Sequence, residues 1–233
     1  MNCARVGLIL TTRNLLARTM ASLASLEWSL TTPVDLVVSD NDSSDGTPDV
    51  LEGLGYEVVR HSPMVSISVS LNRGIRTLSE RGLEYIGWVH NDMRFPAGWL
   101  EPLVYLADSS GVGKAISSNI VGIDPHSCDE DAKRFLEANR GRTVPGNGCP
   151  WLMRTDVIDL VGPFDEEYEG GGGYEDWDHN NRILEKGYQI LITGSSVVWH
   201  ETMATRKNMD ESAASRRNAG RYRNKWKTGR PRV

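Results

Sequence analysis

Short apolar runs alternate along this chain with stretches whose apolar residues recur at helical spacing. Residues 6–10 read as a buried strand and 15–26 as a helix. Residues 36–38 form the next strand, which runs into the polar stretch Asp40-Asn41-Asp42-Ser43-Ser44-Asp45-Gly46-Thr47. Pro48 falls where the first turn of a helix tolerates it, and 49–54 continue that helix. Residues 56–59 are a strand, 69–81 a helix closed by Gly82, and 85–89 a strand followed by His90-Asn91-Asp92. This alternation predicts an α/β fold, a mostly parallel sheet flanked by helices. Ligands in such sheets bind at the carboxyl ends of the strands, where two of the acidic clusters lie.

The second half is less regular. Residues 115–123 read as a strand, 129–139 as a helix and 141–148 as a polar loop. A short strand at 151–153 precedes a helix at 155–160. Residues 170–173 form a glycine-rich loop leading into Tyr174-Glu175-Asp176-Trp177-Asp178, and 180–186 a helix stopped by Gly187. Strands at 189–193 and 196–199 follow, the second ending at His200. No repeat or linker divides the chain. Residues 1–205 are expected to form one domain and 206–233 a basic helical tail packed on it.

Composition narrows the class. Charged residues are 24% of the 233 and hydrophobic residues 39%, which suits a globular protein and argues against global disorder. No apolar run approaches the roughly 18–20 residues a membrane helix needs. The run at 6–10 is too short for a signal-peptide core. Cys3, Cys128 and Cys149 are odd in number and widely spaced, signalling neither a disulfide framework nor a zinc site. A cytoplasmic protein, peripheral to the membrane at most, is the expectation. The net charge of −5 is unevenly spread: from Glu201 onward ten bases face three acids, a net +7 against −12 for the rest. A packed amphipathic helix carrying Tyr222 and Trp226 is the favoured reading of that tail. The alternatives are a lid reaching a diphosphate, or a patch for an anionic membrane surface or nucleic acid.

Four constellations carry candidate chemistry. Asp40, Asp42 and Asp45 follow a strand; taken alone they are equally a solvated turn with an Asx cap. Asn91 and Asp92 end another strand, where a carboxylate can hold a divalent cation against a diphosphate. Glu175 and Asp176 follow a glycine-rich loop, as a general base under a closing loop does, or as acids at a helix N-terminus do. His200 ends an apolar strand; such a histidine is packed or capping more often than ligating, but beside a metal it is a natural nitrogen ligand. A P-loop is excluded, because Gly113-Lys114 is followed by Ala115.

The order and spacing of these pieces resemble the family 2 glycosyltransferases of GT-A fold. Leu71-Asn72-Arg73-Gly74, Pro96-Ala97-Gly98-Trp99-Leu100, Gly162-Pro163-Phe164-Asp165-Glu166 and Lys186-Gly187-Tyr188 belong to the same pattern, which covers roughly residues 5–200. The resemblance implies transfer of a sugar from a nucleoside diphosphate sugar to a hydroxyl acceptor, glycan, lipid-linked or other, with inversion. It implies a UDP-sugar first, with GDP- or dTDP-sugars as alternatives, and Mn²⁺ or Mg²⁺. Asp40 would contact the base, with Asp42 or Asn41 nearby and Thr11 and Arg13 lining the same pocket. Asn72 and Arg73 would face the donor. His90-Asn91-Asp92 occupies the family's Asp-x-Asp position with the first acid replaced. Asp92 would then bind metal, His90 would lie near the sugar or ribose, and His200 would complete the metal site. Asp176 would be the base, supported by Glu175. A non-catalytic sugar-nucleotide or glycan-binding relative and a sugar nucleotidylyltransferase are the alternatives.

Overall fold

The computed structural model describes residues 5–121, 128–171, 173–201 and 211–228. The expected tail boundary at 205/206, and Cys3, lie outside them. The first half is a regular parallel unit. Strands β1 (Val6–Thr12), β2 (Val34–Asn41), β3 (Glu57–His61) and β4 (Tyr85–His90) stand in the order β3-β2-β1-β4, all parallel. Helices α1 (Leu16–Ser29), α2 (Thr47–Gly53) and α3 (Ile67–Ser79) make the crossovers. Because β1 has β2 on one side and β4 on the other, the chain reverses direction across the sheet there. That switch point opens a crevice at the carboxyl ends of β1, β2 and β4. Gly74 lets α3 lie close against β1, since a Cβ on it would meet Ile9 at 2.9 Å. Val6, Leu8, Ile9 and Leu10 are all buried, as β1 covered on both faces requires.

The second half is mixed. After β5 (Met93–Arg94) and α4 (Glu101–Ala107) come β6 (Val112–Val121), α5 (Cys128–Asn139), β7 (Thr143–Pro145), β8 (Trp151–Arg154) and α6 (Thr155–Val161). The helix α7 (Glu175–Glu185) and the strand β9 (Gln189–His200) complete the body, and α8 (Ser212–Trp226) is the tail helix. The sheet continues β4-β8-β6-β9-β5, with β8 antiparallel to β4 and β6, and β9 parallel to β6.

Several elements depart from the sequence pattern, each for a local reason. The polar stretch 141–148, expected as loop, contains β7, exposed throughout and held by antiparallel pairing to β9. The two strands expected at 189–199 are one, interrupted by a bulge that shifts its register against β6 from Thr193 to Val197. Gly194 and Ser195 are extruded there and bonded to the 141–142 turn, so the polar pair marks a bulge and not a strand end. Helix α7 begins at Glu175, five residues before the expected 180, because its first turn is acidic rather than apolar. No helix among the described residues is long and apolar enough to cross a membrane.

Two buried histidines make the fold acid-sensitive. His61 Nε2 lies 2.8 Å from the Ser39 hydroxyl, and its Nδ1 lies 2.9 Å from an Arg73 nitrogen. Burial, then the Arg73 charge, pushes its pKa down to about 4. Burial pushes His179 well down too, helped by the Lys114 and Arg182 charges. The folded chain therefore resists a proton that the unfolded chain takes up below about pH 6.5. Stability is full above that value and falls as pH drops toward the folded pKa. From His61 alone the loss between pH 7.5 and pH 5 is about 2 kcal/mol. Urea midpoints measured across that range should fall steadily, and a flat profile would refute the assignment.

Candidate active site

The centre of the site is made by strand pairing. Strand β4 ends at His90, and the two-residue turn Asn91-Asp92 leads into β5. There β5 pairs antiparallel with the end of β9, setting Met93 opposite His200. A backbone bond from Glu201 N to Asp92 O, 3.0 Å, locks the junction. The register brings His90, Asp92 and His200 together, with one potential ligand atom from each lying within 4.8 Å of the others. His200 Nε2 is 3.2 Å and His90 Nδ1 3.8 Å from Asp92 Oδ1. Burial pushes the pKa of His90 down to about 4, partly offset by the Asp92 charge. His90 is thus neutral at neutral pH. Its Nε2 is buried without a hydrogen bond among the described residues.

The turn is pinned from beneath. Asn91, expected near the donor, spends both amide hydrogens inside the fold, on Thr12 Oγ1 and Thr19 Oγ1, each 3.0 Å away. Those hydroxyls are themselves 3.0 Å apart, tying the turn to β1 and α1. Ser22 donates to His90 O at 3.2 Å. The sequence assigns the metal role to Asp92 and His200 and places His90 beside the sugar. In the fold His90 joins the other two.

The loops after β1 and β2 form the adjoining edge. Asp40 is buried, and both its oxygens accept from Ser43, at 3.1 Å from the backbone N–H and 2.5 Å from the hydroxyl. Burial raises its pKa against those hydrogen bonds and the Arg60 charge. Asn14 and Ser43 knit the two loops, the Asn14 N–H donating to Ser43 Oγ at 2.6 Å and the Ser44 N–H to Asn14 Oδ1 at 2.8 Å. Asn14, Leu15 and Asp42 all hold left-handed backbone angles, a cost of roughly 1 kcal/mol each that the knit must offset. Asp45 takes the Asx-turn reading: its carboxylate accepts from the Thr47 and Leu16 backbones. Thr11 Oγ1 accepts from Trp88 Nε1 at 3.0 Å, and Arg13 Nη1 lies 2.7 Å from Met64 Sδ.

Other expected donor contacts are structural in this fold. Asn72 grips Phe164 N and O at 2.9 Å each and also donates to Glu166, so both its amide hydrogens are committed to the 162–166 turn. Asn41 is committed in the same way to Val65. Arg73 is turned toward His61.

Asp176 and the buried Glu175 lie in the first turn of α7. Asp176 Oδ2 accepts from Asn147 Nδ2 at 2.7 Å, and Oδ1 from the Trp177 N–H at 2.8 Å. The Cys149 thiol lies in reach of both acid centres. Burial first, then the charges of Asp92 and Asp176, opposed by Lys114, push its pKa well up. The glycine-rich segment before α7, expected as a free lid, is clamped instead. Gly170 O accepts from Ile67 N, Gly171 N donates to Glu211, and Asn218 donates to Gly173 O.

That clamp is the work of α8. Tyr222 is fully buried and accepts from Asn181 at 2.7 Å. Asp178, fully buried, meets Arg182 at 3.1 Å, Lys225 at 2.7 Å and Trp226 Nε1 at 2.8 Å. Arg217 pairs with Glu169, Arg221 with Glu167, and Lys225 also with Asp165. Helix α8 thus packs on the body through Tyr222 and Trp226, and these three bases meet body acids. Asp178 and Asn218 carried no chemical motif; the signal that marks them is the burial of polar residues in amphipathic helices.

A comparison with curated proteins finds no significant match. The profile of Glycosyl transferase family 2 matches residues 9–144, and the chain belongs to that family. Solved structures share its GT-A fold. One is GalNAc-T7 with UDP, GalNAc and Mn²⁺, at TM-score 0.68 and 14% identity over 85% of this chain and 44% of that one. A second is the mannosyltransferase PcManGT of Pyrobaculum calidifontis with GDP-Man and Mn²⁺, at 0.67 and 18% over 88% and 59%. A third is S. aureus TarS 1-349, at 0.62 and 14% over 92% and 69%. The chain thus spans about half the length of the first two.

Replacing Asp178 with Ala strands the partly buried Lys225 and Arg182 charges and should cost about 3 kcal/mol. Trypsin should then cut α8 at Arg217 and Arg221 several-fold faster than in the parent. Unchanged cleavage and an unchanged urea midpoint would remove Asp178 as the anchor.

Proposed function

We propose that this chain transfers a sugar from a nucleoside diphosphate sugar to a hydroxyl acceptor, with inversion and with the help of a divalent cation. The observation that carries the reading is the convergence of His90, Asp92 and His200 at one strand edge. Family membership supports it, and so do the sugar-nucleotide and Mn²⁺ complexes of proteins with the same fold.

The donor set fits a transition cation. Two imidazoles and one carboxylate favour Mn²⁺ over Mg²⁺, which prefers an all-oxygen shell. The buried Nε2 of His90, without a hydrogen bond among the described residues, adds a further polar atom at this edge for a ligand to meet. When bound, the ion offsets the charge that develops on the departing diphosphate. Asp40 takes the nucleotide end, with Asp42, Thr11 and Arg13 around it. Asp176 accepts the acceptor's hydroxyl proton. The acceptor oxygen bonds to the anomeric carbon as the bond from that carbon to the diphosphate oxygen breaks, and that electron pair leaves with the nucleotide. Glu175 supports the base. With His90 in the donor set, its replacement of the usual acid no longer argues for a non-catalytic relative, and no observation favours a nucleotidylyltransferase. The tail, 206–233, is taken as part of the same domain because α8 closes on the loop before Asp176.

Two outcomes test the reading. Asp176→Asn should lower kcat by about 10²–10⁴-fold while donor affinity stays within about twofold. Full turnover in that variant sinks the base. In a thermal-shift screen of UDP-, GDP-, dTDP- and CDP-sugars, stabilisation by the bound donor should require Mn²⁺. It should disappear with chelator, and in His90→Ala, Asp92→Ala and His200→Ala. Chelator-insensitive stabilisation would remove the metal from the site.

A further inference from the structure

Lys114 sits inside β6 with 1% of its surface exposed, beside the buried apolar Val112, Ala115 and Ile116. The mechanism above does not use it. Its Nζ donates to Asn180 Oδ1 at 2.5 Å. Asn180, fully buried, donates through Nδ2 to Asn147 Oδ1 at 2.8 Å. Asn147 in turn donates through Nδ2 to Asp176 Oδ2 at 2.7 Å. These four side chains come from three elements: Lys114 from β6, Asn147 from the loop before β8, and Asp176 and Asn180 from α7, one turn apart.

The direction of the chain is dictated at both ends, by an ammonium that only donates and a carboxylate that only accepts. An ammonium only donates, so Asn180 must offer its oxygen to Lys114. Its amide hydrogens then face Asn147, whose oxygen must receive them. Asn147 is left with only its N–H groups for Asp176. Without Lys114 the Asn180 amide can flip and turn its N–H groups away from Asn147, which is then held in place from the Asp176 side alone. We infer that Lys114 is a positioning residue that fixes, through Asn180 and Asn147, the orientation of the Asp176 carboxylate toward the acceptor hydroxyl. This inference rests on the reading of Asp176 as the base.

The surroundings fit a cation held for that purpose. The ammonium lies 5.1 Å from the ring of Trp151 and 5.9 Å from that of Phe164. Burial lowers its pKa to about 7, opposed by the charges of Asp176 and Cys149 and reinforced by Arg182. A lysine of purely structural value would be replaceable by an apolar side chain of the same length, since a buried charge usually gains little over a packed hydrophobe. That difference is what the test reads.

The probes are UDP-glucose, GDP-mannose and dTDP-glucose with Mn²⁺, with release of nucleoside diphosphate to water or acceptor followed in Lys114→Met, Asn147→Ala and the double variant. Each single variant should lose about 10²-fold in kcat, the cost of a misplaced catalytic group, with KM within twofold. The double variant should lose no more than either single one, because the links act in series. Singles that keep kcat within twofold while Asp176→Asn is inactive overturn the relay and leave the base standing. Losses that multiply in the double variant overturn it as well. If Lys114→Met does not fold, Asn147→Leu, on a half-buried loop, carries the kinetic test. A second readout needs no turnover and no role for Asp176. The side-chain amide protons of Asn147, followed by NMR, should shift and exchange faster in Lys114→Met, and unchanged signals overturn the relay. Turnover retained in Asp176→Asn would instead defeat the base assignment, leaving the amide signals to decide the relay.

Discussion

Everything at this site depends on one short pairing, the two residues of β5 against the last two of β9. The parallel half of the sheet ends at β4, and the chain continues to β5 within two residues. The mixed half ends at β9, more than a hundred residues later. The pairing closes these two halves on each other and fixes how far His200 stands from Asp92. Asn91 makes the turn rigid from below, with both its amide hydrogens spent inside the fold. The metal site we propose needs its ligands held closely before an ion arrives. Here the holding is done by backbone register and by a buried Thr–Thr–Asn triangle.

The same logic extends to Asp176. The sheet does not place it; α7 does, and α8 closes over the loop that leads into α7. Asn218 and Glu211 hold that loop, and Asp178 anchors α8 through Lys225 and Trp226. The basic tail therefore serves the acidic body as a strap. Its charge asymmetry, read along the chain, suggests an external anion; folded, three of its bases meet acids a few ångströms away. Surface ion pairs of this kind are worth little singly. The burial of Tyr222, Asn218 and Asp178 carries the attachment.

Much of this was legible in the linear chain, because α/β alternation, strand-end acids and the spacing of the family's motifs are local properties. Apolar period and turn residues were enough for the order β1-α1-β2-α2-β3-α3-β4 and for the family. Asp92, His200 and Asp176 could be singled out through the family's combined pattern, because each taken alone is as readily turn, helix-terminus or packing chemistry. The roles of individual amides were not legible. Asn72, Asn41 and Asn91 look like ligand contacts in sequence, yet each is committed to backbone or hydroxyl partners that only folding supplies. Lys114 marks the opposite case: its polarity made the strand seem to begin at Ala115, and the burial that makes it informative exists only in three dimensions.

The sequence by itself determined the fold class, the family, and which strand ends gather the candidate acids and histidine, since these follow from periodicity and from residues adjacent in the chain. Tertiary structure alone decided that His90 stands with Asp92 and His200, that the glycine-rich loop is strapped down, and that a buried lysine reaches Asp176 through two amides. The physical reason is distance along the chain. His90 and His200 are separated by 110 positions, Lys114 and Asn180 by 66, and no local rule specifies the register that brings them within bonding range.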